Sequence, residues 1–244
     1  FVLIELRAAE PLVPFRIFRL RTLTGANAVG LLVGASLFSM FYFISLYMQQ
    51  VLGYGPLKAG VSYLPLAVTI MLAAGIASQL VTRFGFKPVL LVGLGCIATG
   101  LLWFSQVPVD GSFTSDILGP SLLAAVGLGF SFVPTTIAAV SGVRGAEAGL
   151  ASGLINTSQQ IGGALGLAAL ATIATSRTDT VLRAAHGARG ALLNALTEGF
   201  QSAFFTGSMI AVAGIGLALL LIRTSDSRAH TAAARAEPQP AEAG

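Results

Sequence analysis

At 244 residues, 55% hydrophobic and only 10% charged, the chain carries far fewer ionic groups than the roughly 25% typical of soluble domains. That excludes a water-soluble globule and requires much of the outer surface to face lipid. The formal net charge of +4 comes from Lys and Arg scattered between apolar runs, so nucleic acid, which needs those charges on one surface, is excluded as a partner.

Residues 1–4 form an apolar stub, and 5–21 are charged and carry Pro11 and Pro14. Residues 1–23 therefore read as the end of a preceding helix and a cytoplasmic linker, a chain entered in its middle. A secretory signal would need a basic start and a longer apolar core. A spanning helix takes about 20 predominantly apolar residues to cross roughly 30 Å of hydrocarbon. Six windows meet that test, at 24–50, 58–81, 88–107, 117–140, 149–174 and 200–222. All are far longer than a barrel strand of about 10 residues and lack its alternation, so helices are expected throughout. Pro65, Pro120 and Pro134 fall inside windows and predict kinks, tolerated where neighbouring helices re-satisfy the freed carbonyls. The units expected are thus 24–107 with three spans, 108–222 with three more, and 223–244, an Ala-, Pro-, Arg- and Glu-rich disordered cytoplasmic tail.

Orientation follows from counting. With the N-terminal linker inside, the inner segments hold Arg7, Arg16, Arg19, Arg21, Arg83, Lys87, Arg144, Arg223, Arg228 and Arg235. The outer ones hold Lys58, Arg177, Arg183 and Arg189. Ten against four places the C-terminus in the cytoplasm. The three arginines in the link between the fifth and sixth windows oppose the trend.

The first window sets Asn27, Gly34, Phe41 and Ser45 on one side, with Phe38 and Met48 more loosely beside them and Gln49 at its outer end. Rings, a thioether and amides make a surface that repacks around dissimilar apolar ligands and attracts cations; the alternative is a lipid-facing or packed stripe. The second window ends in Ser-Gln-Leu-Val-Thr-Arg-Phe-Gly-Phe-Lys-Pro at 78–88. This reads as a tight cytoplasmic turn: Gly85 permits positive φ, Pro88 starts the next helix, and Arg83 and Lys87 lie near a helix carbonyl end and anionic headgroups. In the fifth window Gly149, Ser152, Asn156, Gln159, Gly163 and Gly166 share one face at 100° per residue. Gly149/Gly153 and Gly162/Gly166 repeat the small-xxx-small spacing of a helix seam; the competing reading makes Asn156 and Gln159 substrate contacts or gate residues.

No Asp, Glu, Arg, Lys or His falls deep inside a window, so no residue of this chain is an obvious proton carrier. Enzyme chemistry is not expected. His186 and His230 lie in a link and the tail, there is no metal-ligand or phosphate-loop motif, and Cys96 stands alone.

The 78–88 turn resembles the loop motif of the major facilitator superfamily, Gly-x-Leu-x-Asp-Arg-x-Gly-Arg-Lys. Leu80, Arg83, Gly85 and Lys87 match, whereas Ser78, Thr82 and Phe86 replace its Gly, Asp and first basic residue. Three further segments are similar to the fourteen-helix drug:proton antiporter branch: Glu-Pro-Leu-Val-Pro at 10–14, Tyr-Met-Gln-Gln-Val-Leu-Gly-Tyr-Gly-Pro-Leu-Lys-Ala-Gly at 47–60, and 149–166. The resemblance implies an all-α integral membrane protein whose six transmembrane helices form one half of a major facilitator fold, as two inverted three-helix units. It implies the last six spans of fourteen. It also implies a cavity lined by the first and fourth spans, with Asn27, Phe38, Phe41, Ser45 and Gln49 as candidates, and a sliding interface at the Asn156 and Gln159 face. The function implied is efflux of amphipathic organic compounds from the cell across the plasma membrane. No cofactor is expected, a proton gradient supplying the energy, and the partners are the bilayer, an N-terminal half and a small amphipathic substrate. Two other readings remain at this point: a half-sized six-helix subunit or scaffold that dimerises, and a nutrient permease of the same superfamily.

Overall fold

The structure, a computed structural model, describes residues 15–141, 143, 145–185 and 190–227. The expectations for 1–14, Arg144, His186, Arg189 and the tail beyond 227 lie outside the described residues. Among the described residues a short 3-10 turn at Phe15–Arg19 is followed by the α-helices α1 (Arg21–Leu46), α2 (Pro56–Val61), α3 (Leu64–Phe84), α4 (Phe86–Phe104), α5 (Leu118–Val140), α6 (Ala148–Ala184) and α7 (Ala191–Leu221), with a further helical turn at 224–227. Wider π-type turns extend α1 through Tyr47–Val51 and precede α5 at Phe113–Ile117. There is no strand among the described residues.

The second window is not one helix. It divides at Ser62 and Tyr63, leaving the short α2 and placing Pro65 in the first turn of α3, where its missing N–H is an orphan in any case and no kink results. Pro120 likewise stands in the first turn of α5, so of the three prolines only Pro134 is internal to a helix. Between α3 and α4, Gly85 has φ +87°, a conformation nearly free for glycine and strained for other residues. It reverses the chain with no intervening loop.

Five of the spans are long and apolar enough to cross a membrane: α1 with its π turn, α2–α3, α4, the Phe113–Ile117 turn with α5, and α7. The remaining one, α6, has 37 residues and a length of about 55 Å, but its Gly, Ser, Thr, Asn and Gln content keeps it below that apolar standard. Both α6 and α7 overrun the windows that predict them. The link expected between 174 and 200 is largely helical, because the charged arms of α6 and α7 run side by side. Arg177 meets Glu198 at 2.6 Å, Thr178 Oγ1 donates to the Ala195 carbonyl at 3.2 Å, and Gly199 faces the Ala174 carbonyl.

Packing is exchanged between the two halves of the bundle. The first helix of the first unit, α1, packs on α6, the second of the other unit, and on α7; α5 packs correspondingly on α3 and on α4; α1 meets α5 and α4 meets α7. Gly129 of α5 lies against Ala73 and Ala74 of α3, as Gly34 of α1 lies against α6. Two inverted three-helix units produce this reciprocal pattern. Two apolar clusters fill the interior. Phe43, Phe104 and Phe204 mark one, with Phe104 and Phe204 stacked at 5.0 Å and Phe204 edge-on to Phe43. Leu23, Phe86, Leu90 and Leu94 mark the other, at the end where α1 starts and α7 stops. Met48 belongs to the first cluster, 1% exposed, and is not part of an open face.

Candidate functional site

The C-terminal third of α1 and the joint between α2 and α3 build one wall. Phe41, Ser45 and Gln49 follow each other at one-turn intervals and so share a face. Tyr63, the N-cap residue of α3, reaches across to them. Its ring stacks on Phe41 with centroids 5.4 Å apart, and its hydroxyl donates to the Phe41 carbonyl at 2.7 Å. Gln49 Nε2 donates to Ser45 Oγ at 2.8 Å. Phe41, Ser45 and Tyr63 are half-buried and Gln49 is exposed. The wall therefore offers two ring faces, a hydroxyl and an amide oxygen with no fixed charge. Such a surface holds apolar bodies and cations and fixes few directions, which suits ligands of varied shape.

Below it, α1 and α6 meet in a glycine seam. A Cβ at Gly34 would overlap the Gln159 carbonyl, and one at Gly162 would overlap that of Leu31. The two backbones touch, each through a glycine on the other's path. Gly166 admits Ala35, Gly30 admits Ile155, and the Phe38 ring lies across Gly163. Asn27 and Ser158 bridge the seam, Ser158 Oγ donating to Asn27 Oδ1 at 2.8 Å while Asn27 Nδ2 donates back to the Leu23 carbonyl. Gln159 is 7% exposed, and its Nε2 has no hydrogen-bond partner among the described residues.

The predicted residues are thus sorted by the fold. Phe41, Ser45 and Gln49 come together. Asn27 and Phe38 instead face α6 and belong to the seam, with Gln159, Gly163 and Gly166. The N-terminal part of the expected α6 face is not in the seam: Gly149 and Asn156 are exposed, Ser152 is half-buried, and Asn156 Nδ2 donates only to the Ser152 carbonyl of its own helix. Gly149 and Gly153 have open space around them. The packed stripe passes through Ala151, Ile155, Gln159, Gly162, Gly166 and Leu170, drifting round the helix as α6 crosses α1. Tyr63, Gly30 and Ser158 are additional to the sequence reading. The Gly30/Gly34 spacing was the available signal for the partner side of the seam, and Pro65 the signal for the helix start that Tyr63 caps.

The loop-motif residues close the opposite end. Lys87 Nζ donates to the carbonyls of Ile222 at 2.7 Å and Leu219 at 3.2 Å, and Arg21 Nη2 donates to that of Leu220 at 2.8 Å. The carbonyl end that Lys87 serves is therefore that of α7, not of the adjacent α3. Cations at a helix C-terminus contribute about 0.3–1 kcal/mol each. The Lys87 amide donates to Ser227 Oγ and Thr22 Oγ1 donates to Asp226 Oδ2, so the start of α1, the α3–α4 turn and the end of α7 are tied together. Leu80 packs into the adjoining apolar cluster, and Arg83 sits exposed in the last turn of α3.

Residues 5–167 match the family model described as Major Facilitator Superfamily. Among curated proteins, the chain is 39% identical over 182 residues to a cephamycin export protein of Amycolatopsis lactamdurans, covering 73% of this chain and 37% of that protein. It is 34% identical over 181 residues to a tetracenomycin C resistance and export protein of Streptomyces glaucescens, covering 74% and 34%. It is also 31% identical over 230 residues to a puromycin resistance protein of Streptomyces alboniger, covering 92% and 46%. The matched region thus spans between a third and a half of the length of these relatives.

Proposed function

The chain belongs to the major facilitator superfamily, a family of membrane transporters and not of enzymes, and on that premise we propose that its six spans are the C-terminal half of a fourteen-helix exporter of amphipathic organic compounds. The observation that carries the reading is the Phe41–Tyr63–Ser45–Gln49 wall, an uncharged aromatic and amide surface left half-open on one side of the bundle. The relatives named for export of, or resistance to, cephamycin, tetracenomycin C and puromycin support it.

In this reading the substrate rests against the rings of Phe41 and Tyr63, with Gln49 supplying a polar contact near the outer rim. The α1–α6 seam, with backbones in direct contact and few side chains to unlock, is the element along which helices shift between inward-open and outward-open states. The exposed apolar faces of α3 (Leu64, Val68, Leu72, Ile76) and α6 (Ile161, Leu165) meet the N-terminal half of the transporter. Proton antiport supplies the energy. The acids whose protonation biases the two states lie in that other half, because the spans here carry none in their interiors. The segment before α1 links it to the preceding helix, and the segment after the bundle-tied Asp226 and Ser227 is a tail in the cytoplasm beneath the plasma membrane.

The test is dye movement in proteoliposomes holding the native polypeptide, loaded with a cationic amphipathic dye. Efflux should accelerate when a pH gradient is imposed, and Phe41→Ala should slow it about threefold to thirtyfold, the range of one lost cation–ring contact. Dye movement indifferent to the gradient would overturn antiport; full activity in Phe41→Ala would remove the wall from the substrate path.

A further inference from the structure

At the end where α1 begins and α7 stops, a cavity of about 480 Å³ opens between the helices. Arg19, Arg21, Arg223, Thr22, Ser141 and Asp226 line it. Three guanidinium groups face one carboxylate, an excess of two positive charges by the difference of those lining groups. Their commitments differ. Arg21 is spent on the Leu220 carbonyl, and Asp226 accepts from Thr22 and Ser225. Arg19 and Arg223 are exposed. Leu20 lines it too and is exposed, and the residues next to the lining in the chain, Phe18 before Arg19 and Leu219 and Leu220 in the last turn of α7, are exposed large hydrophobic residues as well. A water-facing basic cleft has no use for such neighbours. A cleft at the boundary of the hydrocarbon does.

We infer that this cavity is a site for a phosphate oxyanion, carried by an anionic lipid whose headgroup enters between Arg19 and Arg223 and whose acyl chains lie along Leu219, Leu220 and Leu20. Guanidinium groups pair with phosphate through two parallel N–H···O bonds, and the excess positive charge of the lining repels the choline cation of a zwitterionic headgroup while it attracts a headgroup that is anionic overall. Basic pockets between spans at the membrane surface recruit anionic headgroups for the same reason. The site is distinct from the Phe41–Tyr63 wall, which lies at the opposite end of α1. It would tie α1 and α7 together across the end already clamped by Lys87.

The experiment is native mass spectrometry of the purified native polypeptide, offered short-chain phosphatidylglycerol, short-chain phosphatidylcholine, or inorganic phosphate. Phosphatidylglycerol should be retained in preference to phosphatidylcholine. Arg19→Gln with Arg223→Gln, leaving Arg21 on its α7 carbonyl, should weaken retention about tenfold or more, since each basic group near the surface contributes roughly fivefold. Asp226→Asn removes the one repelling charge and should strengthen it, a change of opposite sign that misfolding would not produce. Displacement by inorganic phosphate would support the site and assign it to a soluble phosphate; absence of displacement assigns it to lipid. Equal retention of the two lipids, or retention unchanged in the double variant, would overturn the inference.

Discussion

A single methyl group decides how near α1 and α6 can come. At Gly162 and Gly34 a Cβ would land on a carbonyl of the facing helix, so Gly162→Ala must push two backbones apart and is expected to cost about 1–3 kcal/mol. At Gly149 and Gly153 the same methyl meets open space; there alanine should leave stability unchanged or raise it by up to about 1 kcal/mol through helix propensity. Thermal unfolding of the native polypeptide in detergent separates the two. Gly162→Ala should melt several degrees lower and Gly149→Ala should not, and equal melting of both would contradict the seam. This contrast marks how far residue spacing is informative. Gly85 was legible as a turn because that role depends on one residue's own geometry, whereas the spacing that marked Gly162 and Gly166 named a seam without naming which glycines would pack. Gly149 and Gly153 have the same spacing yet do not pack, because which residues meet depends on the angle at which α1 crosses, and α1 sets that angle through its own Gly30 and Gly34. The same dependence on a neighbour shows at Asn27, which is 9% exposed and bonded to Ser158 of α6, and at Phe38, whose ring lies across Gly163 while remaining 39% exposed.

Helix ends obey water as well as lipid, and that governs the elements. The apolar windows located every span, since burial in hydrocarbon needs an uninterrupted apolar run. They did not locate where the helices stop. In α6 the apolar run fades by Ala174, but the helix continues for ten residues because its Arg177 and Thr178 find partners on α7. An exposed ion pair of this kind contributes only about 0–1 kcal/mol, so the extension is a weakly held arm. Hydrogen exchange tests it: amides at 175–184 and 191–198 should exchange more slowly than those of the loop at 105–112, yet faster than the spans. Exchange as fast as the loop would contradict a helical extension. The break at Ser62 and Tyr63 was legible in principle from the Pro65 that follows it, since a proline is tolerated in the first turn of a helix and costs about 3 kcal/mol inside one. Its consequence, a tyrosine set against Phe41, needed the fold.

For the whole molecule, composition was enough to demand a membrane, and the loop motif and its spacing enough to point to the superfamily that the family model then matched. What composition could not supply is the exchange of partners between the two three-helix units, with α1 seated on α6 and α5 on α3. That pattern leaves apolar faces of α3 and α6 uncovered within this chain and brings basic side chains of two elements, Arg21 of α1 and Lys87 of α4, to the end of α7. Both features fit a unit that works against a second one. The most direct measurement of that claim is the intact mass of the native polypeptide purified from its own membrane. The account predicts a mass about twice the 24.9 kDa of this chain, with intramembrane Asp or Glu in the added part. A mass of 24.9 kDa would contradict it, leaving a self-contained six-span protein and removing the second half against which the α3 and α6 faces are proposed to move.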